Sequence, residues 1–393
     1  MKAATAHATL VASLGVLPSF LMGSLVPQLR HDFGIDAAHI GWATASLYVT
    51  AALLAQGGAR IGHRFGTNRA MIIAPAMSFV SLVLGALAPN FGWLVAAMVA
   101  GGIANSIAQP VSNIRLAEFV AGDRLGSAFG LKQAAVPFAA LFSGAAVPLI
   151  AVTVGWRWAW CAGAVAAAAI TLYGFMHRGD KPPTQRHNGH ALRGRDRLSR
   201  RTMVIVTTGA FVAATVGTSV GVFFTDSAVS SGFSPSAAGT IYALFSAIAA
   251  ATRIFLGWYS DRHPGINSYL LATCLLGVGV VGNVLFAMQY GWALLVGALL
   301  SYALGWAWPG LLQWSVVRDN RLAVHEATGF FQSGTSLGAG VGPIFFGSVV
   351  SASSYQAGWL IAGLLGLVAT ALLAVGTFTG RREARSVAPR REV

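Results

Sequence analysis

The chain has 393 residues, 55% of them hydrophobic and only 10% charged, with a mean hydropathy of +0.65. A soluble protein needs roughly 25% charged residues to cover its surface, so an ordinary soluble enzyme, a disordered chain and a fibrous protein are all excluded. The net charge of +14 comes from 26 Lys and Arg against 12 Asp and Glu. These basic residues sit between apolar runs and do not gather on one face, which argues against nucleic-acid binding.

A helix crosses a bilayer with about 20 residues. On that scale the sequence predicts spans over 8–28, 39–59, 70–88, 92–117, 126–153 and 157–177, then 203–225, 237–258, 268–288, 291–316, 327–351 and 355–378. The first run leads at once into further spans, so it is a transmembrane helix and not a cleaved signal peptide. The expected organisation is a six-helix bundle over 1–177, a basic linker over 178–202, a second six-helix bundle over 203–380 and a tail over 381–393. The 47 Gly and 14 Pro suit closely packed membrane helices. Cys161 and Cys274 both lie in apolar stretches, and no disulfide framework or metal motif is present.

Twelve spans put both termini on one side, and the charges say which. Only Arg30 and Arg157 fall in segments assigned outside, and Arg115, Lys132 and Arg253 lie within spans. The other 21 fall in inside loops and tails, eight of them in 178–202 and five in 381–393. By the positive-inside rule both termini are expected in the cytoplasm.

The two halves repeat at a fixed offset. Gly34 and Gly41, around the start of span 2, find Gly232 and Gly239 at span 8, 198 residues later. Ala59, His63 and Arg64 map by the same shift onto Gly257, Asp261 and Arg262. Pro110 finds Pro309, and Gly130 and Gln133 find Gly329 and Gln332, at 199. One offset held over four landmarks marks a duplicated six-helix unit.

With those landmarks placed, the sequence resembles the major facilitator superfamily of secondary transporters over essentially its whole length. The family's loop between spans 2 and 3 runs Gly, three residues, Asp, Arg, one residue, Gly, then basic residues. The first copy here reads Ala59, His63, Arg64, Gly66 and Arg69, lacking the first Gly and the Asp. The second copy, Gly257, Asp261, Arg262 and Gly265, is fuller. Gly155-Trp-Arg-Trp158 and the run from Arg124 to Gly130 carry the same resemblance. It implies two pseudo-symmetric six-helix bundles rocking about a central cavity, with Arg64, Gly66, Arg253, Gly257, Asp261 and Arg262 at the gate. Asp261 is expected to cap the start of span 5 and to pair with an arginine there. His63 carries no anion, so the first-half copy is expected to be weak.

Ionisable groups inside the membrane are costly and therefore candidates for function. Lys132 lies about six residues into predicted span 5, beside Gln133. It is read either as an anion-binding group or as a snorkelling side chain, since roughly 9 Å of depth at 1.5 Å per residue is within its reach. Asn105 and Gln109 share a face of span 4 at i, i+4, and span 10 carries Tyr302 and Trp306. The resemblance makes spans 4 and 10 cavity-lining, so these residues, with Lys132, Gln133 and Gln332, form the expected substrate site.

No Asp or Glu lies near the middle of a predicted span; Glu118, Asp226 and Glu326 are near span ends. The span 4 arginine that the family ties to proton coupling would fall at Met98, and its Gly-Pro antiporter signature in span 5 is not matched. Proton-coupled drug efflux is accordingly disfavoured. No acidic pair, His cluster or phosphate-binding loop suggests an enzyme or a cofactor. The expectation is a multi-pass carrier of the bacterial inner membrane, acting by symport or antiport on a small organic anion such as a carboxylate. The coupling ion is a proton or a counter-anion, and one chain with two repeats suffices, so a monomer is expected. The alternative is efflux of lipophilic drugs or metabolites past Trp306 and Trp308.

Overall fold

The computed structural model describes residues 2–120, 124–179, 197–263, 265–320 and 322–387; the side chains of Lys2, 56–63, Ala117, 324–325 and 381–387 lie outside the description. His63, Arg321, most of the linker and the end of the tail are therefore not described. Among the described residues there is no strand. Twelve helices are long and apolar enough to cross a membrane: Ala3–Ser24, Ala37–Ala55, Thr67–Ala86, Phe91–Leu116, Leu125–Ala151, Trp156–Met176, Arg200–Ser230, Pro235–Arg262, Ser268–Ala287, Gly291–Arg318, Glu326–Ala352 and Tyr355–Gly380. These are spans 1 to 12, and each overlaps its predicted counterpart.

The first face of the bundle carries the N-terminal ends of the odd-numbered spans, and the second face carries their C-terminal ends. Spans 1 and 7 are the most completely buried, and spans 6 and 11 are among the least, so the first helix of each half occupies the centre. Span 3 packs on spans 4 and 6, and span 9 on spans 10 and 12, six places later. Span 2 against span 11 and span 5 against span 8 join the halves.

The sequence repeat has a backbone counterpart. Gly34 and Gly232 both adopt positive φ, 63° and 97°, a region open to glycine without strain. Two residues later Asp36 Oδ1 accepts the His39 amide at 2.9 Å, and Ser234 Oγ accepts the Ala237 amide at 3.2 Å. The turn and cap that start span 2 thus recur at span 8. The His39 amide is also the main reason the Asp36 carboxyl lies below its ordinary value of 3.8. Gly41 and Gly239, the next landmarks, are the close-approach points between halves. Gly41 meets the backbone of Pro343 in span 11, and a Cβ at Gly239 would lie 2.8 Å from the Gly144 carbonyl in span 5.

Two features shape the second face. After span 1, Leu25 breaks the helix and a short amphipathic helix, Val26–Phe33, lays Val26 and Leu29 inward. The Gly155-Trp-Arg-Trp turn fastens this helix from the other side. Gly155, at φ 104°, ends the loop; Trp156 Nε1 donates to Asp32 at 2.8 Å, and Arg157 donates to the Ala88 carbonyl at 3.1 Å. The Trp156 bond, followed by His31, holds the Asp32 carboxyl below 3.8.

Span 10 is not one regular helix. A wide π-helical stretch at Ala298–Leu304 passes into a tight turn at Gly305–Ala307, where Trp306 sits at φ −93°, ψ 18°, before Trp308–Arg318 resumes as α-helix. Such irregular turns release main-chain carbonyls from the helix ladder.

Candidate functional site

At the first face, Asp261 ends span 8 and grips the start of span 5. Its carboxylate accepts the Gly126 amide at 2.7 Å, the Ser127 amide at 2.7 Å and the Ser127 hydroxyl at 2.5 Å. The first amides of a helix have no partner within it, and a carboxylate satisfies them while meeting the positive end of the helix dipole. The expected arginine partner is replaced by the Ser127 hydroxyl. Two glycines allow this approach: a Cβ at Gly257 would lie 2.8 Å from Gly130 Cα. Arg262 stacks 4.5 Å from the centre of the Trp258 ring. In the first-half copy Arg64 is exposed and lies 5.7 Å from the centre of the Phe65 ring, and Gly66 turns the chain at φ 83°.

Deeper in, Arg253 of span 8 is only 3% exposed. Its guanidinium donates to the carbonyl of Gln133 in span 5 at 2.7 Å and to that of Trp306 in span 10 at 2.6 Å. The Trp306 carbonyl is available because the helix is broken there. The Gln133 side chain crosses in the same direction and donates to Gln313 of span 10. Arg253 therefore ties the two halves through main-chain carbonyls.

Lys132, beside Gln133, points into the first half. It is 2% exposed, and its ammonium donates to Gln109 Oε1 at 2.8 Å. Gln109 Nε2 donates in turn to Asn105 Oδ1 at 3.2 Å and to the Ala12 carbonyl at 3.4 Å. The Lys132 side chain thus runs sideways to span 4 and ends buried there, not at the first face. Among the described residues no carboxylate lies within ion-pair distance of Lys132 or Arg253. An ammonium has three N–H donors, and one of them is bonded to Gln109.

The structure brings Lys132, Gln109 and Asn105 into one chain of hydrogen bonds, and Gln133, Arg253 and Trp306 into another. Tyr302 is 2% exposed and accepts from Ser246 at 3.2 Å. Its ring lies 5.6 Å from that of Trp306, which in turn is 6.4 Å from Phe20 of span 1. Gln332 does not join: it donates to Ser336 of its own helix at 3.2 Å.

One cluster has no counterpart in the sequence reading. Near the second-face end of span 7, Asp226 is 2% exposed. Its Oδ2 accepts from Arg30 of the short helix at 2.7 Å and from the Tyr355 hydroxyl at the start of span 12. The position near a span end was legible; the burial was not, because it is made by residues from elsewhere in the chain.

The family model of the Major Facilitator Superfamily matches residues 8–321. The chain belongs to the major facilitator superfamily. It is a multi-pass membrane transporter and not an enzyme. An uncharacterized MFS-type transporter of Bacillus subtilis (strain 168), YcnB, is 26% identical over 128 residues, 33% of this chain and 27% of that relative. The xylose transporter XylE from E. coli, in an inward-open conformation, superposes with a TM-score of 0.74 at 16% identity, over 94% of each chain. A bacterial homologue of the human lysosomal transporter Spinster gives 0.71 at 16% identity, over 97% of this chain and 98% of that one. The nucleoside transporter NupG (D323A mutant) gives 0.70 at 15% identity, over 95% and 99%. At these identities the likeness is one of fold.

Proposed function

We propose that this superfamily member is a secondary active carrier of a small organic anion, such as a carboxylate, working as a monomer by alternating access. The observation that carries the proposal is Lys132: a buried ammonium inside span 5 with one neutral partner and no carboxylate among the described residues. A charge buried without a counter-charge is costly, and a substrate anion removes that cost by supplying the missing charge and acceptors. Gln109 and Asn105 position the ammonium from the first half. Gln133, Arg253, Tyr302 and Trp306 close the site from the interface and the second half, and Gln332 is left to local packing. Units 1–177 and 203–380 rock about this site, with 178–202 and 381–393 as basic cytoplasmic segments of an inner-membrane protein, as the excess of Lys and Arg on that side supports. Asp261 on the start of span 5, with Gly257, Arg253 and Arg262 around it, is the cytoplasmic gate, and Arg64 and Gly66 form its weaker mirror copy. The coupling ion is a proton or a counter-anion.

The test is the melting temperature of purified protein against a panel of small carboxylates and lipophilic cations, repeated with Lys132→Ala. A ligand that binds only the folded state raises the melting temperature with its concentration. Stabilisation by a carboxylate, lost in the variant, is the expected result. Stabilisation by lipophilic cations, unchanged in the variant, would replace the anion reading with efflux past the Phe20, Tyr302 and Trp306 rings.

A further inference from the structure

The halves are held at both faces, and both grips are carboxylates of the last six spans. Asp261 holds the first face. On the second face Asp226 holds Arg30, which belongs to the first half, through an ion pair of 2.7 Å. Tyr355 donates to the same oxygen and fixes the carboxylate from span 12. The floor beneath it is also built. Ser227 accepts from Trp359 Nε1 at 2.8 Å and from Gln289 Nε2 at 3.3 Å, which keeps this turn of span 7 from rotating.

The two partners differ in their access to water. The side chain of Asp226 is 3% exposed and that of Arg30 42%. Arg30 thus lies over the carboxylate as a cover that faces the second side of the membrane. When it swings away, it regains water and uncovers a buried carboxylate to that side alone. Arg30 and Tyr355 are the titratable or charged side chains that face Asp226 from the elements packed against it; the remaining neighbours, Ser227, Gln289 and Trp359, are neutral.

We infer that Asp226 is a proton-binding site on the second face and that its protonation releases Arg30, so that this face opens. In the step, Asp226 takes one proton from water at the position Arg30 vacates. The carboxylate becomes a neutral carboxylic acid, still bonded to Tyr355, and the guanidinium leaves with its charge unchanged. Loss of the proton restores the anion and draws Arg30 back. A charge pair whose one member can be neutralised is a two-state element biased by proton concentration. The inference rests on the rocking of the two halves and is independent of the anion reading of Lys132.

The experiment measures the distance across the second face by electron–electron spin resonance in lipid nanodiscs, between nitroxides at Val154→Cys and Ser353→Cys, both exposed positions. The two native cysteines are replaced by serine. In the parent a short distance at pH 8 is expected to give way to a longer one at pH 5. Asp226→Asn should show the longer distance at both pH values, with the pH response lost, although the Asp32 and Asp36 carboxyls on the same face are unchanged. Arg30→Gln should behave alike, and it keeps the test decisive should Asp226→Asn fail to fold. The exchanged pair Arg30→Asp with Asp226→Arg should restore the short distance at pH 8. A parental pH response in Asp226→Asn or Arg30→Gln overturns the inference and leaves the rocking intact. A distance that never changes in any variant, at any pH, overturns both.

Discussion

Removing the Asp261 carboxylate tests whether the first-face grip governs opening. In Asp261→Ala the amides of Gly126 and Ser127 and the Ser127 hydroxyl lose acceptors at 2.7, 2.7 and 2.5 Å. A lost side-chain cap costs about 1 kcal/mol and a lost charge at a helix start about 1 kcal/mol more. Both terms exist only while the halves are closed on this face, so their sum acts on the opening equilibrium. At 1.4 kcal/mol per factor of ten, about 2 kcal/mol raises the open population roughly thirtyfold. Ser260, 5% exposed beneath the latch, supplies the probe. A Ser260→Cys chain with Cys161 and Cys274 replaced by serine is treated with a water-soluble maleimide. When opening is faster than labelling, the labelling rate follows the open population. Labelling should accelerate roughly thirtyfold in Asp261→Ala and by less in Asp261→Asn, which keeps one acceptor. A change below about twofold, or RT ln 2 of about 0.4 kcal/mol, would refute the assignment of Asp261 as the grip on that face.

Gly257→Ala should open the same face by a different route, since its Cβ would lie 2.5 Å from the Gly126 carbonyl oxygen and 2.8 Å from Gly130 Cα. Labelling at position 260 should rise, and adding Asp261→Ala should bring little further increase, because residues in one contact do not act additively; full additivity would show the two to be independent. Asp36→Ala should cost about 1 kcal/mol through loss of the cap on span 2. Because the folded carboxyl lies below 3.8, the anion's contribution is complete above that pH and is lost as pH falls through the lowered value. The gap in melting temperature between the parent and Asp36→Ala should therefore be steady at pH 6 to 8 and shrink toward pH 3; a gap that widens in acid contradicts the assignment.

The spans, the repeat and the grip of Asp261 were legible because each depends on local sequence. Hydropathy reads a window of one helix, the offset of 198 compares like with like, and a carboxylate at a helix end has few roles. The fate of Lys132 was half legible. Counting residues from the start of span 5 gives its depth, but the turn of the side chain toward Gln109 depends on how span 4 packs beside it, which one helix window does not show. Gln332 stands apart for a related reason: the repeat pairs it with Gln133, yet Gln133 finds Gln313 on span 10 and Gln332 bonds within its own helix. Asp226 was least legible. A carboxylate near a span end reads as wet, and only the fold of Val26–Phe33 over it, with Tyr355 beneath, removes the water.

The break in span 10 divides what Trp306 does between two parts of the residue. Its ring packs against Phe20 and Tyr302 and lies 5.3 Å from the Arg253 guanidinium carbon, while its carbonyl holds the same guanidinium at 2.6 Å. Every amino acid carries that carbonyl, so replacing the tryptophan alters the aromatic wall and leaves the anchorage of the charge in place. A scan of side chains at 306 would therefore report on what the wall recognises. The hold on Arg253 answers only to changes that straighten the helix, and these map to the π-helical turn at Ala298–Leu304.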